Sequence, residues 1–183
     1  MKIILFAGSL RKDSLNKKLI KFTDKLLKNN SEIQSIVVDL QTLNIPVYDG
    51  DIEANGIPGG VQILAKHMSE ASAIIISSPE YNGSISSPLK NTIDWLSRVK
   101  PNPMTLKSIL LLGASPGVLG ATRGLAHTRQ PIETLGNYLY PVPMGFMHAD
   151  QAFDEKGNLK DPSQVEKLQQ LINSFIEFAS KLQ

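Results

Sequence analysis

Ile3-Ile4-Leu5-Phe6-Ala7-Gly8-Ser9-Leu10-Arg11-Lys12-Asp13-Ser14-Leu15-Asn16 is the stretch that decides the fold. An apolar run of strand length ends in a loop with hydroxyls, one arginine and one amide. That loop runs into Leu15, Leu19, Phe22 and Leu26, apolar residues at helical spacing. A strand thus feeds a helix directly. A helix start presents unpaired N–H groups and the positive end of the macrodipole. Ser9, Ser14 and Arg11 in the same place make a candidate site for a phosphate monoester. Read alone, the same residues serve equally as a helix cap and a solvated charge.

Working outward, apolar and amphipathic runs alternate along the chain. Ser14–Lys28 reads as a helix and Ile33–Leu40 as a second strand around Ile36-Val37-Val38. Residues 41–57 read as a long connection rich in Asp, Asn, Pro and Gly. A helix over Pro58–Ser69 puts Val61, Leu64, Ala65 and Met68 on one face. Ala73–Ser77 is a β-branched run suited to a strand covered on both faces. Pro88 opens the next helix, with Leu89, Ile93 and Leu96 as its stripe. Ser108–Gly113 is the fourth strand, and Ala121–Leu135 is helical in pattern, with Pro131 expected to kink or divide it. A short strand is expected near Asn137–Pro141. Val165, Leu168, Ile172, Phe175, Ala179 and Leu182 mark a long C-terminal helix starting near Pro162-Ser163. Five strand–helix units in alternation predict an α/β fold in one domain over residues 1–183: a doubly wound, five-stranded parallel sheet with helices on both faces. The flavodoxin-like strand order 2-1-3-4-5 fits that count, and it puts a ligand at the carboxyl ends of the strands around the first and third.

Composition narrows the function. The chain has 183 residues, 42% hydrophobic and 20% charged, as in ordinary globular proteins. A net charge of +2 gives no case for nucleic acid or a membrane surface as partner. The absence of cysteine removes disulfides, thiolate metal sites and cysteine nucleophiles together, including a phosphatase with a thiol after the first strand. His67, His127 and His148 lack metal-ligand spacing, so no metal is expected. The apolar run after Met1-Lys2 is too short for a signal segment, and no membrane-spanning run exists, so a cytoplasmic protein is expected.

If a ligand binds, the loops after strands one, three and four emerge at one edge and should all be unusual. After the third strand stands Ser78-Pro79-Glu80-Tyr81-Asn82-Gly83-Ser84, and after the fourth Gly113-Ala114-Ser115-Pro116-Gly117. Pro79 stiffens the strand exit, Asn82-Gly83 signals a turn, and glycine lets backbone approach a ligand. Tyr81 offers an aromatic face to a flat ring. Each loop alone is also an ordinary turn; their shared edge is what favours a site. There is no Gly-x-x-x-x-Gly-Lys-Ser/Thr and no Gly-x-Gly-x-x-Gly after the first strand, so the usual P-loop and dinucleotide sites are excluded. A mononucleotide with one phosphate and a flat ring remains, and flavin mononucleotide (FMN) fits both.

Gly8-Ser9-Leu10-Arg11-x-x-Ser14-x-Asn16, Pro79-Glu80-Tyr81-Asn82-Gly83-Ser84, Leu89-Lys90-Asn91-x-x-Asp94-Trp95 and Ser115-Pro116-Gly117 resemble the NAD(P)H-dependent FMN reductase family, which includes quinone, chromate and azo-dye reductases. The likeness extends to Phe153-Asp154-Glu155-Lys156-Gly157-Asn158-Leu159. The resemblance implies that Ser9, Arg11, Ser14, Leu15 and Asn16 hold the FMN phosphate through side chains and amides. It implies that Pro79, Glu80, Tyr81, Asn82 and Gly83 line the isoalloxazine ring, and that Ser115 and Gly117 approach its pyrimidine end. It further implies NADPH or NADH as co-substrate, a small-molecule electron acceptor (quinone, flavin, azo compound or metal oxyanion) and ping-pong kinetics, with no side chain as nucleophile or general base. The rival readings are a flavodoxin-type electron carrier and a flavin-binding module without turnover. Against the carrier stand a sequence pI of about 8.8 and Arg11 in the first loop. A homodimer or dimer of dimers, with the flavin near a subunit boundary, is expected on two grounds. Such assemblies are common in the family, and Trp95, Leu171, Ile176 and Phe178 widen the apolar stripes of two helices.

Overall fold

The computed structural model describes residues 1–182. Strand β1 (Lys2–Ala7) leads through the first loop to α1 (Leu15–Leu27), then β2 (Gln34–Val38), a 3₁₀ turn at Leu40–Leu43, α2 (Gly50–Ala54) and α3 (Gly59–Glu70). After β3 (Ala73–Ser77) comes a hairpin of β4 (Glu80–Tyr81) and β5 (Ser84–Ile85), followed by α4 (Ser87–Arg98) and β6 (Ser108–Ala114). The rest is α5 (Thr122–Thr134), β7 (Tyr138–Leu139), β8 (Met144–Phe146), α6 (Ala149–Ala152) and α7 (Pro162–Ser180).

The parallel sheet runs β2-β1-β3-β6, and both β7 and β8 pair with the outer edge of β6. This is the flavodoxin-like order with its fifth strand broken in two. Tyr138 pairs with Ser108 at the start of β6, and Phe146 with Ala114 at its end. Between them lies Pro141-Val142-Pro143, where two residues have no N–H to give a ladder.

Alternation splits the core into two layers. Ile4, Phe6, Ile74, Ile76, Ile109 and Leu111 face Val61 and Leu64 of α3, Leu89 and Ile93 of α4, and Leu125 of α5. Ile3, Leu5, Ile75, Leu110 and Leu112 face Leu19 of α1 and Leu168, Ile172 and Phe175 of α7. Every residue of β3 and β6 is buried. Each large aliphatic side chain so covered contributes about 1.5–3 kcal/mol relative to exposure. The functional loops therefore stand on the best-packed part of the sheet.

Three expectations need correction. Residues 41–57 are not an irregular connection throughout: Asp49 caps α2 by accepting the Asp51 N–H at 2.8 Å. Helix α5 passes through Pro131 undivided, and His127, whose carbonyl loses its helical partner there, is solvent-exposed. The apolar residues read as surplus surface are covered. Trp95 is fully buried, donates its indole N–H to the Pro46 carbonyl at 2.8 Å and meets Tyr48 edge-on at 5.1 Å. Leu171, Ile176 and Phe178 are half-buried against the second core layer, Phe178 packing edge-on against Tyr140 at 5.4 Å. These four residues give no ground for self-association.

Candidate active site

In the sheet register Ala7 lies beside Ser77, and Ser77 beside Leu112. The loops after β1, β3 and β6 therefore leave side by side. They enclose a cleft of about 220 Å³. The first loop and the start of α1 give it Ser9, Arg11, Ser14, Leu15 and Asn16; the second gives Pro79, Glu80 and Tyr81; the third gives Ala114, Ser115 and Pro116. Of the residues expected here, Asn82, Gly83 and Gly117 lie outside this lining. Asn82 and Gly83 form the tip of the hairpin, both at positive φ (51° and 76°), which makes a two-residue turn of the I′ kind.

The first loop and the start of α1 bring several free donors to the cleft. Ser9 and Ser14 are buried, at 1% and 5% exposure. The Ser9 hydroxyl accepts a long bond from the Arg11 N–H and the Ser14 hydroxyl one from the Lys17 N–H, both at 3.4 Å. Among the described residues neither hydroxyl donates, and the N–H groups of Leu15 and Asn16 have no acceptor. Arg11 is exposed and, among the described residues, pairs with no carboxylate. Donors gathered at a helix start beside a guanidinium are of the chemistry that suits an anion.

Asn16 works differently from its neighbours. Its side chain accepts from the Ala114 N–H at 2.9 Å and the Ser77 hydroxyl at 2.7 Å, and donates to the Ala114 carbonyl at 2.9 Å. It is a rivet joining the start of α1 to the ends of β3 and β6. These bonds take the amide oxygen and one of the two amide hydrogens.

Glu80 is also committed elsewhere. Its Oε2 accepts the N–H groups of Arg123 and Gly124 at 3.0 and 3.1 Å, and its Oε1 accepts Arg123 Nε at 2.8 Å and also Nη2. Burial pushes its carboxyl pKa up, but the hydrogen bonds from Arg123 and Gly124 and the guanidinium charge outweigh it and hold the group below its ordinary value. Only the backbone of Glu80 is free to line a ring. Sequence reasoning missed Arg123 and Gly124. The signal was faint: Ala121, the residue before α5, has no side chain able to cap it.

The third loop is held open. Ser115 accepts the Gly117 N–H on its hydroxyl at 3.0 Å, donates its N–H to the Phe146 carbonyl at 3.1 Å and accepts the Ala149 N–H at 3.0 Å. Pro79, Tyr81 and Pro116 supply apolar surface to the same lining as Ser9, Arg11 and Ser14. Free N–H and O–H donors suit a phosphate, and apolar walls suit a flat ring.

The model of the NADPH-dependent FMN reductase family matches residues 1–154. A quinone reductase of Escherichia coli (strain K12) is 30% identical over 185 residues, covering 100% of this chain and 97% of its own length. An NAD(P)H-dependent FMN reductase of Pseudomonas aeruginosa is 33% identical over 175 residues, covering 95% and 92%. Among solved structures, the flavoenzyme NAD(P)H:(acceptor) oxidoreductase FerB of Paracoccus denitrificans superposes with a TM-score of 0.85 at 29% identity, over 98% of this chain and 97% of that one.

Proposed function

The chain belongs to the NADPH-dependent FMN reductase family, and from that premise we propose that it oxidises NAD(P)H on bound FMN and passes two electrons to a quinone or similar small acceptor. The observation that carries this reading is the first loop, where buried Ser9 and Ser14 hydroxyls and the Leu15 and Asn16 N–H groups all lack an acceptor beside Arg11. These groups hold the phosphate. Pro79, Tyr81 and the backbone of Glu80 wall the ring, Asn82 and Gly83 shape that wall from the hairpin turn, and Ser115 and Gly117 meet its pyrimidine end. FMN, when bound, supplies the hydride chemistry.

The protein's part is to bind, orient and leave one mouth open. Nicotinamide and acceptor use that mouth in turn, which gives ping-pong kinetics. No lining side chain is placed to act as nucleophile or base. Of the titratable ones, Arg11 faces the phosphate, Glu80 is saturated by Arg123 and Gly124, and Tyr81 is a wall. Protons for the reduced acceptor come from water at the mouth.

The apolar residues Val118, Leu119 and Met147 are exposed, at 64%, 49% and 53%, on loops joined by the His148 N–H to the Gly117 carbonyl at 3.4 Å. They support a homo-oligomer, a dimer or a dimer of dimers, that covers this rim. Among the described residues no helix is long and apolar enough to cross a membrane, and the lack of cysteine suits the cytoplasm. The test of the reading is FMN titration of the purified protein followed by NADPH oxidation with and without a quinone.

A further inference from the structure

We propose that Glu80 is a positioning residue for the ring end of the cleft: its carboxylate clamps the Tyr81-bearing hairpin to the first turn of α5. This rests on the FMN reading above. A carboxylate offers about four acceptor sites, and here Arg123 Nε, Arg123 Nη2 and the N–H groups of Arg123 and Gly124 take four bonds. No acceptor capacity is left for a ligand. Helix α5 in turn depends on this residue, because Ala121 precedes it at φ 67° and caps nothing. Two orphan N–H groups of its first turn, those of Arg123 and Gly124, are satisfied from a segment more than forty residues away in sequence.

Three further contacts tie the same two elements. A Cβ on Gly124 would lie 3.0 Å from Glu80 Cα, Glu80 Cβ and the Ser84 carbonyl oxygen, so only glycine lets α5 sit this close. His127 Nδ1 lies 3.0 Å from the Ser84 hydroxyl. A Cβ on Gly83 would lie 3.7 Å from Arg123 Cζ, so the guanidinium runs along the turn. The hairpin needs such support. Its strands are two residues each, and an isolated hairpin of that size is not stable in water. Tyr81, 38% exposed over the cleft, holds its place only if the hairpin does.

The test uses the full chain with Glu80→Gln, which offers one acceptor oxygen and turns an NH₂ group toward donors. Hydrogen exchange of the 81–85 amides in the flavin-free protein should quicken about tenfold or more, with β3 and β6 unchanged. FMN and riboflavin should both weaken by a similar factor, about tenfold, because the clamp acts on the ring wall and not on the phosphate. The visible circular dichroism of bound flavin should change shape. Arg123→Ala, which leaves the carboxylate on the two α5 N–H groups, should show the same pattern more weakly and serves if Glu80→Gln does not fold. Unchanged hairpin exchange, or unchanged affinity for both flavins with only a lower melting temperature, overturns the clamp. A loss confined to FMN overturns it as well, since that places Glu80 at the phosphate. A wild-type protein that binds neither flavin overturns the functional reading instead, while the exchange result still judges the clamp as a structural tie.

Discussion

Asn16 and Ala114 hold each other by two hydrogen bonds: the Asn16 amide donates to the Ala114 carbonyl at 2.9 Å and accepts its N–H at 2.9 Å. They stand 98 positions apart, one beginning α1 and the other ending β6. The loops after β1 and β6 are thereby fixed to one side chain. Ser77 completes the joint by donating its hydroxyl to Asn16 Oδ1.

Asn16→Ala should therefore cost more than a surface substitution. It removes three buried bonds and leaves the Ala114 backbone groups unpaired, about 2–4 kcal/mol by the usual cost of such losses. Urea denaturation of the flavin-free protein measures it. A loss within the scatter of surface variants would mean that water replaces the rivet.

Arg11→Ala should weaken FMN about tenfold or more, as expected for one charge-assisted contact of roughly 1.5–3 kcal/mol. Riboflavin, which has no phosphate, should bind as before. Fluorescence titration with both ligands separates the cases, and equal losses would move Arg11 away from the phosphate.

Gly83→Val places a β-branched residue at φ 76°, in a region that costs L-residues about 1–2 kcal/mol. The space itself is open, the nearest side chain atom to a new Cβ lying at 3.7 Å. The turn should reshape, and flavin should be lost while the fold is kept. Full colour and full turnover in the variant would show that the hairpin tip has no part in the site.

The clamp should carry a pH signature. The Glu80 carboxyl is held below its ordinary pKa in the folded chain. Across the interval between the folded value and the unfolded one, about 4.3, the unfolded chain binds more protons. The stabilisation is thus complete above the unfolded value and disappears as pH falls through the folded value. Among the described residues, Arg123 and His127 are the charged and titratable side chains of α5 that meet the hairpin. Melting curves of wild type and Glu80→Gln should differ most at neutral pH and converge in acid. A gap that stays constant with pH would assign the difference to packing.

Much of this molecule is readable from its residues, for physical reasons. Strands β1, β3 and β6 announce themselves because a buried parallel strand must be apolar on both faces, as Ile74-Ile75-Ile76 and Leu110-Leu111-Leu112 are. The order of the sheet follows from that alternation. Short elements do not announce themselves: α2 and β8 are too brief for a period to show. Trp95 misleads because its cover, Pro46 and Tyr48, comes from a segment without a pattern of its own. Ser9, Arg11, Ser14 and Tyr81 fall in the cleft as their loops predict. The commitments of Asn16 and Glu80 stay hidden because their partners, Ala114 and Arg123, become neighbours only after folding.

The central claim, an FMN enzyme that consumes NAD(P)H for a small acceptor, is tested most directly by steady-state NADPH oxidation of the FMN-loaded protein at varied quinone. The account predicts one FMN bound per chain without a covalent bond, quinone-dependent turnover, and parallel lines in double-reciprocal plots. A protein that binds FMN but leaves NADPH unconsumed in the presence of quinone would contradict it.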